Sequence, residues 1–147
     1  MIPFYYYDQT KLEMVINYYI QCEIGKLINT KYLVHILERE FSLSSSASEF
    51  IYEVYWDKKF RCIGMLQLSK GYDDFSKYKY GNVFKSAVLV GASSFTIVHN
   101  HPSGLLIESE KDIITTQTLL KIGSILDIKL YEHVLVANNN YKIINVN

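Results

Sequence analysis

The sequence has few of the features that mark secreted or membrane-spanning proteins. Its 147 residues include only two cysteines, Cys22 and Cys62, which form no C-x-x-C pair. No apolar run approaches the roughly 20 residues that a transmembrane helix needs. The start of the chain also lacks the basic and apolar regions of a secretory signal. We therefore expect a cytoplasmic protein with reduced cysteines and no membrane span.

A net charge is also missing. The chain has 15 basic and 15 acidic residues, so its formal net charge is zero. Proteins that bind DNA or RNA through the phosphate backbone usually carry a basic stripe, and this composition argues against direct nucleic-acid binding. Hydrophobic residues make up 49% of the chain and charged residues 20%. These proportions are typical of a globular domain that buries its own core.

The first half of the chain mixes predicted helices and strands. Residues 1–28 fit either a helix or a strand, because their apolar positions satisfy both periodicities. A helix is then predicted over 31–41, with Thr30 as its N-cap. A strand over 49–56, with alternating faces, leads through a tight turn into a second strand near 61–69.

The second half continues the same alternation. The predicted elements are a loop containing Gly71, Asp73 and Asp74, a helix over 83–91 capped by Asn82, a strand over 95–98, a helix over 109–126, and strands over 128–137 and 141–146. Strands before, between and after helices indicate an α/β domain with a mixed central sheet flanked by helices.

Two histidines stand at the end of the predicted strand over 95–98. Side chains at i and i+2 of a strand point to the same side, so those of His99 and His101 should lie next to each other on one face. Neutral imidazole is a good zinc ligand, although such a pair also fits two hydrogen-bonded histidines at a strand end.

A serine and an aspartate open the next predicted helix. Ser109 and Asp112 are neighbours at i and i+3, which fits an N-cap and an acidic residue at the positive helix end. The same aspartate, across a short loop from the two histidines, could be a third metal ligand. Three protein ligands leave an open fourth position, as in catalytic zinc sites.

The complete pattern carries a resemblance to a known family. His99-x-His101-x(7)-Ser109-x(2)-Asp112 resembles the metal-binding signature of the JAMM (MPN+) metallopeptidases. The stretch HNHPSG over 99–104 is similar to the RadC family in particular. The resemblance extends over roughly residues 28–145. Shared features outside the motif are Glu49, Asp57 and Arg61 in the first hairpin, Gly71 after it, Val83, Phe84 and Ala87 before the histidines, and EHVLV over 132–136.

The resemblance implies a JAB/MPN-like (cytidine deaminase-like) fold and one zinc ion per chain, held by His99, His101 and Asp112. It implies hydrolysis of a peptide or isopeptide bond in a protein or peptide substrate. Glu49 would act as the general base and Ser109 would steady the oxyanion.

The choice of Glu49 depends on the resemblance. The residues alone do not separate it from four other acidic positions, namely Glu53, Asp57, Asp73 and Asp74. His133 opens an apolar strand, and we expect it to be a hydrogen-bonded structural histidine rather than a fourth ligand. A closed four-ligand site would be structural instead of catalytic.

The resemblance also divides the chain into an unassigned extension over 1–27 and a RadC-like JAB/MPN+ domain over 28–147. The extension is too short for the helix-hairpin-helix segment that precedes this domain in longer relatives, so a DNA-binding role of that segment loses support. Near the metal motif, Leu105 replaces an acidic residue of the family pattern and Glu108 replaces a proline.

Two alternatives to the hydrolase stay open. One is a non-catalytic interaction module of the MPN type, because a fold does not fix a function. The other is a DNA-repair-associated accessory protein, which the name of the RadC relatives implies. Whether an oligomer completes the site is also open.

Overall fold

The computed structural model describes residues 1–23, 25–70 and 80–146. In these ranges, three α-helices and seven strands follow one another along the chain. They are β1 (Ile2–Asp8), β2 (Glu13–Ile20), α1 (Thr30–Phe41), β3 (Phe50–Trp56), β4 (Cys62–Lys70), α2 (Tyr80–Leu89), β5 (Ser94–Asn100), α3 (Glu110–Leu126), β6 (Lys129–Ala137) and β7 (Asn140–Ile143).

The strands form one mixed sheet in the order β2-β1-β4-β3-β5-β6-β7. The pairs β1–β4 and β5–β6 are parallel, and the other neighbours are antiparallel. Helix α1 covers one face, while α2 and α3 cover the other. The buried helix residues are Leu33, Ile36 and Leu37 on the first face and Val83, Phe84 and Leu119 on the second. The predicted α/β sheet flanked by helices is confirmed.

Residues 1–20, whose periodicity is ambiguous, form the β1–β2 hairpin. Strand β1 joins the sheet through parallel pairing with β4, a strand about 60 residues further along the chain. The ring of Tyr5 packs directly over Gly64, where an added Cβ would stand 2.2 Å from Cε2 of the ring. This contact joins residues that are far apart in the sequence and favours a strand rather than a helix for β1. The local periodicity does not reveal it. None of the described helices is both long and apolar enough to cross a membrane.

Two predicted helix starts are wrong. Asn29, not Thr30, is the N-cap of α1, because its side chain accepts a hydrogen bond from Tyr32 N at 3.2 Å. The Thr30 hydroxyl instead donates to Glu132 at 2.6 Å. Helix α2 begins at Tyr80, so Asn82 lies within the helix and cannot cap it.

The other boundaries need smaller changes. The last strand ends at Ile143 rather than at residue 146. The predicted loop residues Gly71, Asp73 and Asp74 lie outside the described residues.

The central strand β3 keeps the alternation that its sequence predicts, yet both of its faces are buried because helices cover both sides of the sheet. This arrangement encloses Glu53, which is paired across the sheet with Leu66 and Ile97. Its side chain is fully buried, and neither carboxyl oxygen has a hydrogen-bond partner in the part of the chain that the structure describes. Burial raises the pKa of Glu53 well above its ordinary value.

The buried carboxyl of Glu53 should make stability fall as the pH rises. The pKa of Glu53 is higher in the folded chain, so this carboxyl loses its proton at a lower pH in the unfolded chain. The free energy of unfolding therefore falls as the pH rises above about 4.3. We expect Glu53→Gln to remove this dependence, and Glu53→Leu to add about 1–3 kcal/mol by removing an unsatisfied polar group. Urea unfolding of the chelator-treated chain at pH 5 and pH 8 measures both effects. If the free energies of unfolding of wild type and Glu53→Gln differ by the same amount at both pH values, the prediction is contradicted.

Candidate metal centre

The two histidines of the motif lie at the end of β5, in the middle of the sheet. His99 is the penultimate residue of β5 and is fully buried, while His101 follows the strand and is half-buried. Their spacing places both rings on one side, and the two Nε2 atoms are 3.3 Å apart. The backbone N–H of His101 donates to Val136 O of β6 at 3.0 Å, which holds this end of the strand in place.

Asp112 reaches the same point from the start of α3. Its Oδ1 lies 3.2 Å from His99 Nε2, and its Oδ2 lies 3.1 Å from His101 Nε2. Oδ2 also accepts a hydrogen bond from Ser109 N at 2.8 Å, while the Ser109 side chain accepts from Asp112 N at 3.1 Å. This reciprocal capping box fixes the carboxylate at the positive end of the helix. The ligand atoms of the three side chains all lie within 4.8 Å of one another.

The charges of the cluster stabilise each other. Burial alone would raise the pKa of Asp112, but hydrogen bonds from His101 and His99 outweigh it and hold that pKa well below its usual range. The hydrogen bond with Asp112 raises the pKa of His101 against the opposing effect of burial. The Leu105 backbone also hydrogen-bonds His101 and acts in the same direction. The site is therefore an anionic carboxylate facing two imidazoles, which is a donor set that zinc prefers.

Glu49 lies beside this cluster, immediately before β3. The antiparallel register pairs Ile51 with His99, so Glu49 comes level with His101 at the same edge of the sheet. Glu49 Oε1 is 3.8 Å from His99 Nε2, and the Glu49 side chain is only 13% exposed. The structure thus brings Glu49 together with the three motif residues.

The other acidic residues that could have been the base lie away from the cluster or outside the residues that the structure describes. Glu53 is enclosed in the sheet, and Asp57 sits in the β3–β4 turn, where its carboxylate accepts from Arg61 Nε at 2.7 Å. Asp73 and Asp74 fall in the range that the structure does not describe.

Three polar residues outside the motif support the cluster, and two of them, Asn100 and Thr116, have no role predicted from the sequence. Asn100, between the two histidines, is fully buried and accepts from Phe50 N at 2.7 Å while donating to Ser48 O at 3.0 Å. It therefore fixes the backbone on both sides of Glu49. The signal for it is weak, because a single asparagine at a strand end predicts no particular contact.

The other two supporting residues lie behind His99. His133 Nε2 is 2.9 Å from His99 Nδ1, and Thr116 Oγ1 is 2.7 Å from His133 Nδ1. Burial holds the pKa of His133 well below its ordinary value. His133 is hydrogen-bonded, as expected, and it contacts the ring nitrogen of His99 that points away from Asp112.

A comparison with protein families decides the identity of the domain. The family model of the RadC-like JAB domain matches residues 28–145. The chain belongs to the RadC-like JAB domain family. The match begins one residue after the extension predicted over 1–27, although the structure shows that part of this extension contributes β1 and β2 to the common sheet. The boundary itself stays a prediction.

Several bacterial proteins resemble this RadC-like JAB domain. A UPF0758 protein of Finegoldia magna is 40% identical over 98 residues, which are 67% of this chain and 44% of that protein. A UPF0758 protein of Thermotoga maritima is 36% identical over 63% of this chain and 42% of its own length. One of Latilactobacillus sakei is 35% identical over 68% and 45%, respectively. The matched part thus covers less than half the length of each of these relatives.

Proposed function

We propose that this RadC-like JAB domain is a zinc-dependent hydrolase that cleaves a peptide or isopeptide bond. The observation that carries the proposal is the convergence of two imidazole nitrogens and one carboxylate with a second carboxylate, that of Glu49, 3.8 Å from His99 Nε2. The family includes metallohydrolases, and this arrangement supplies both a ligand set and a base.

The three motif residues would hold the metal. His99, His101 and Asp112 provide two nitrogens and one oxygen, and this nitrogen-rich set favours zinc over magnesium or calcium. When bound at such a three-ligand site, zinc supplies Lewis acidity and makes water reactive near neutral pH. Each ligand is already oriented by the fold, Asp112 by the capping box and His99 by β5.

Glu49 would move the proton in the reaction. Its carboxylate accepts the proton of the attacking water and later delivers it to the leaving amine, as a general base and then a general acid. Its side chain is 13% exposed and lies 3.8 Å from His99 Nε2, so it is close to the place where the water would be held.

Ser109 would stabilise the negative charge that develops on the carbonyl oxygen. Its oxygen accepts from Asp112 N, so its hydroxyl hydrogen is the part of the group that can donate to an oxyanion. Its place in the capping box fixes that hydroxyl next to Asp112.

The function can be tested without knowing the natural substrate. The zinc-loaded chain is incubated with a proteome-derived peptide library and with lysine-branched isopeptides, and new termini are read by mass spectrometry. We expect cleavage that requires zinc and disappears in His99→Ala. If the zinc-loaded wild type releases no more products than this variant, the hydrolase is contradicted and a non-catalytic interaction module is supported.

Asn100 should affect the reaction through Glu49. Asn100→Ala removes both side-chain hydrogen bonds to the backbone around Glu49 and leaves buried groups unsatisfied, at a cost of about 1–3 kcal/mol in unfolding free energy. We expect the variant to bind zinc as the wild type does and to cleave library peptides more slowly. Zinc titration, urea unfolding and cleavage rates measure the three effects. A wild-type rate in the folded variant would show that Asn100 does not position Glu49.

A further inference from the structure

A buried chain of hydrogen bonds runs behind the candidate metal centre and connects two of its proposed ligands. It leads from His99 Nδ1 to His133 Nε2 at 2.9 Å, and from His133 Nδ1 to Thr116 Oγ1 at 2.7 Å. Thr116 Oγ1 then lies 2.7 Å from the backbone oxygen of Asp112. His99, His133 and Thr116 are at most 3% exposed, so bulk water does not reach this chain.

The donor in each hydrogen bond follows from the bond at the end of the chain, between Thr116 and the backbone of Asp112. The carbonyl oxygen of Asp112 can only accept, so the single hydroxyl proton of Thr116 is donated to it. Thr116 Oγ1 can then only accept from His133, whose Nδ1 must carry a proton. A neutral imidazole has one N–H, so His133 Nε2 is bare and accepts from His99 Nδ1–H. The other ring nitrogen of His99, Nε2, faces Asp112 and His101.

The opposite direction is unfavourable. If His99 carried its proton on Nε2, His133 would have to donate from Nε2 and accept at Nδ1 from Thr116. The oxygens of Thr116 and Asp112 would then stand 2.7 Å apart with no proton between them. A repulsive contact of that kind, buried in the protein, has no water to relieve it.

We propose that Thr116 and His133 are positioning residues that keep a proton on Nδ1 of His99 and so make its Nε2 the nitrogen that would bind the metal. The inference rests on the metal-binding part of the proposed function. It assigns a task to two residues outside the motif, on α3 and β6, and it makes the orientation of a β5 ligand depend on the first turns of α3. Partners that set the tautomer of a ligating histidine commonly change metal affinity by about 10- to 100-fold.

The other histidine ligand is oriented differently. The Leu105 backbone hydrogen-bonds the ring of His101, and Nε2 of that ring faces Asp112. One ligand is therefore held by an exposed loop and the other by a buried side-chain network, and only the second depends on Thr116.

The test compares Thr116→Val, which keeps the shape of the side chain and removes the hydroxyl, with Thr116→Ser, which keeps the hydroxyl. Thr115→Val is the matched control, because Thr115 is also buried and is not part of the chain of hydrogen bonds. Zinc affinity is measured by competition with a chromophoric chelator. Long-range ¹H–¹⁵N spectra of the metal-free chain report which nitrogen of each histidine carries the proton.

We expect the metal-free wild type to carry the protons of His99 and His133 on Nδ1. We also expect Thr116→Val to bind zinc about 10- to 100-fold more weakly, with affinity restored in Thr116→Ser and unchanged in Thr115→Val. Equal zinc affinity of wild type and Thr116→Val would overturn the inference. So would an Nδ1 of His99 that carries no proton in the wild type, a result that needs no variant to fold. A wild type that binds no zinc would refute the proposed function instead, while the spectrum still tests the tautomers.

Discussion

Glu49→Gln should retain zinc and lose hydrolysis. The substitution preserves the size of the side chain and removes its capacity to accept a proton, and general acid–base groups commonly contribute about 100- to 10,000-fold in rate. Glu49 is placed near His99 Nε2 and is not one of the three grouped ligands, so zinc affinity should change little. Cleavage rates on peptides identified from the library, measured beside zinc affinity, separate the two properties.

A control variant is available close to the site. Glu110→Gln removes another carboxylate at the same edge of the domain, in the first turn of α3, on an exposed residue that makes no contact with the ligands among the described hydrogen bonds and ion pairs. We expect it to keep zinc and activity. Full cleavage by Glu49→Gln would exclude Glu49 as the base, and loss of zinc in that variant would mean that Glu49 is a ligand.

Asp112→Asn should lose zinc almost completely. The amide keeps the shape of the side chain and an oxygen that can accept from Ser109 N, but it lacks the negative charge that faces both histidines. We expect zinc affinity to fall on the order of 100-fold or more, beyond the effect of changing an indirect partner. Competition with a chromophoric chelator measures the affinity, and circular dichroism checks the helix.

The same control applies to this variant. Both Asp112 and Glu110 are acidic residues in the first turn of α3, yet only Asp112 faces the histidines. Glu110→Gln should therefore bind zinc like the wild type. Wild-type affinity in Asp112→Asn would remove Asp112 from the ligand set, and an equal loss in both variants would indicate a general electrostatic effect.

The candidate ligands could be predicted because their geometry is local. His99 and His101 share a strand face, and Asp112 occupies the third position of a helix whose cap is Ser109. The short loop between these elements forces them to meet. Glu49 is different, because 50 residues separate it from His99 and only the β3–β5 register brings them together. The sequence alone did not distinguish it from other acidic residues, and the family resemblance did.

The supporting network could not be predicted for the same reason. Thr116 is an ordinary helix residue by periodicity, and for His133 the sequence predicts a hydrogen bond but not its partners. Their contact requires α3 to pack against β6, which is a tertiary relation. Asn100 likewise acquires its two backbone partners only through pairing of β5 with β3.

The fold shows a similar division between local and distant determinants. Strand β3 and the length of α3 follow from alternation and capping signals within each segment. Residues 1–20 satisfy both periodicities, and the parallel partner β4 decides between them. The predicted start of α1 is wrong because two residues that suit an N-cap are adjacent. Asn29 and Thr30 both suit an N-cap, and the hydrogen bond of Thr30 to Glu132 gives its hydroxyl a different partner.

The most direct test of a metal-dependent hydrolase is the zinc content of the purified chain, prepared without chelator or metal-binding tag, beside His99→Ala. We predict about one zinc ion per wild-type chain and none in the variant, as expected for a single site with three protein ligands. A folded wild type that holds no zinc, even after zinc is added, would contradict the account.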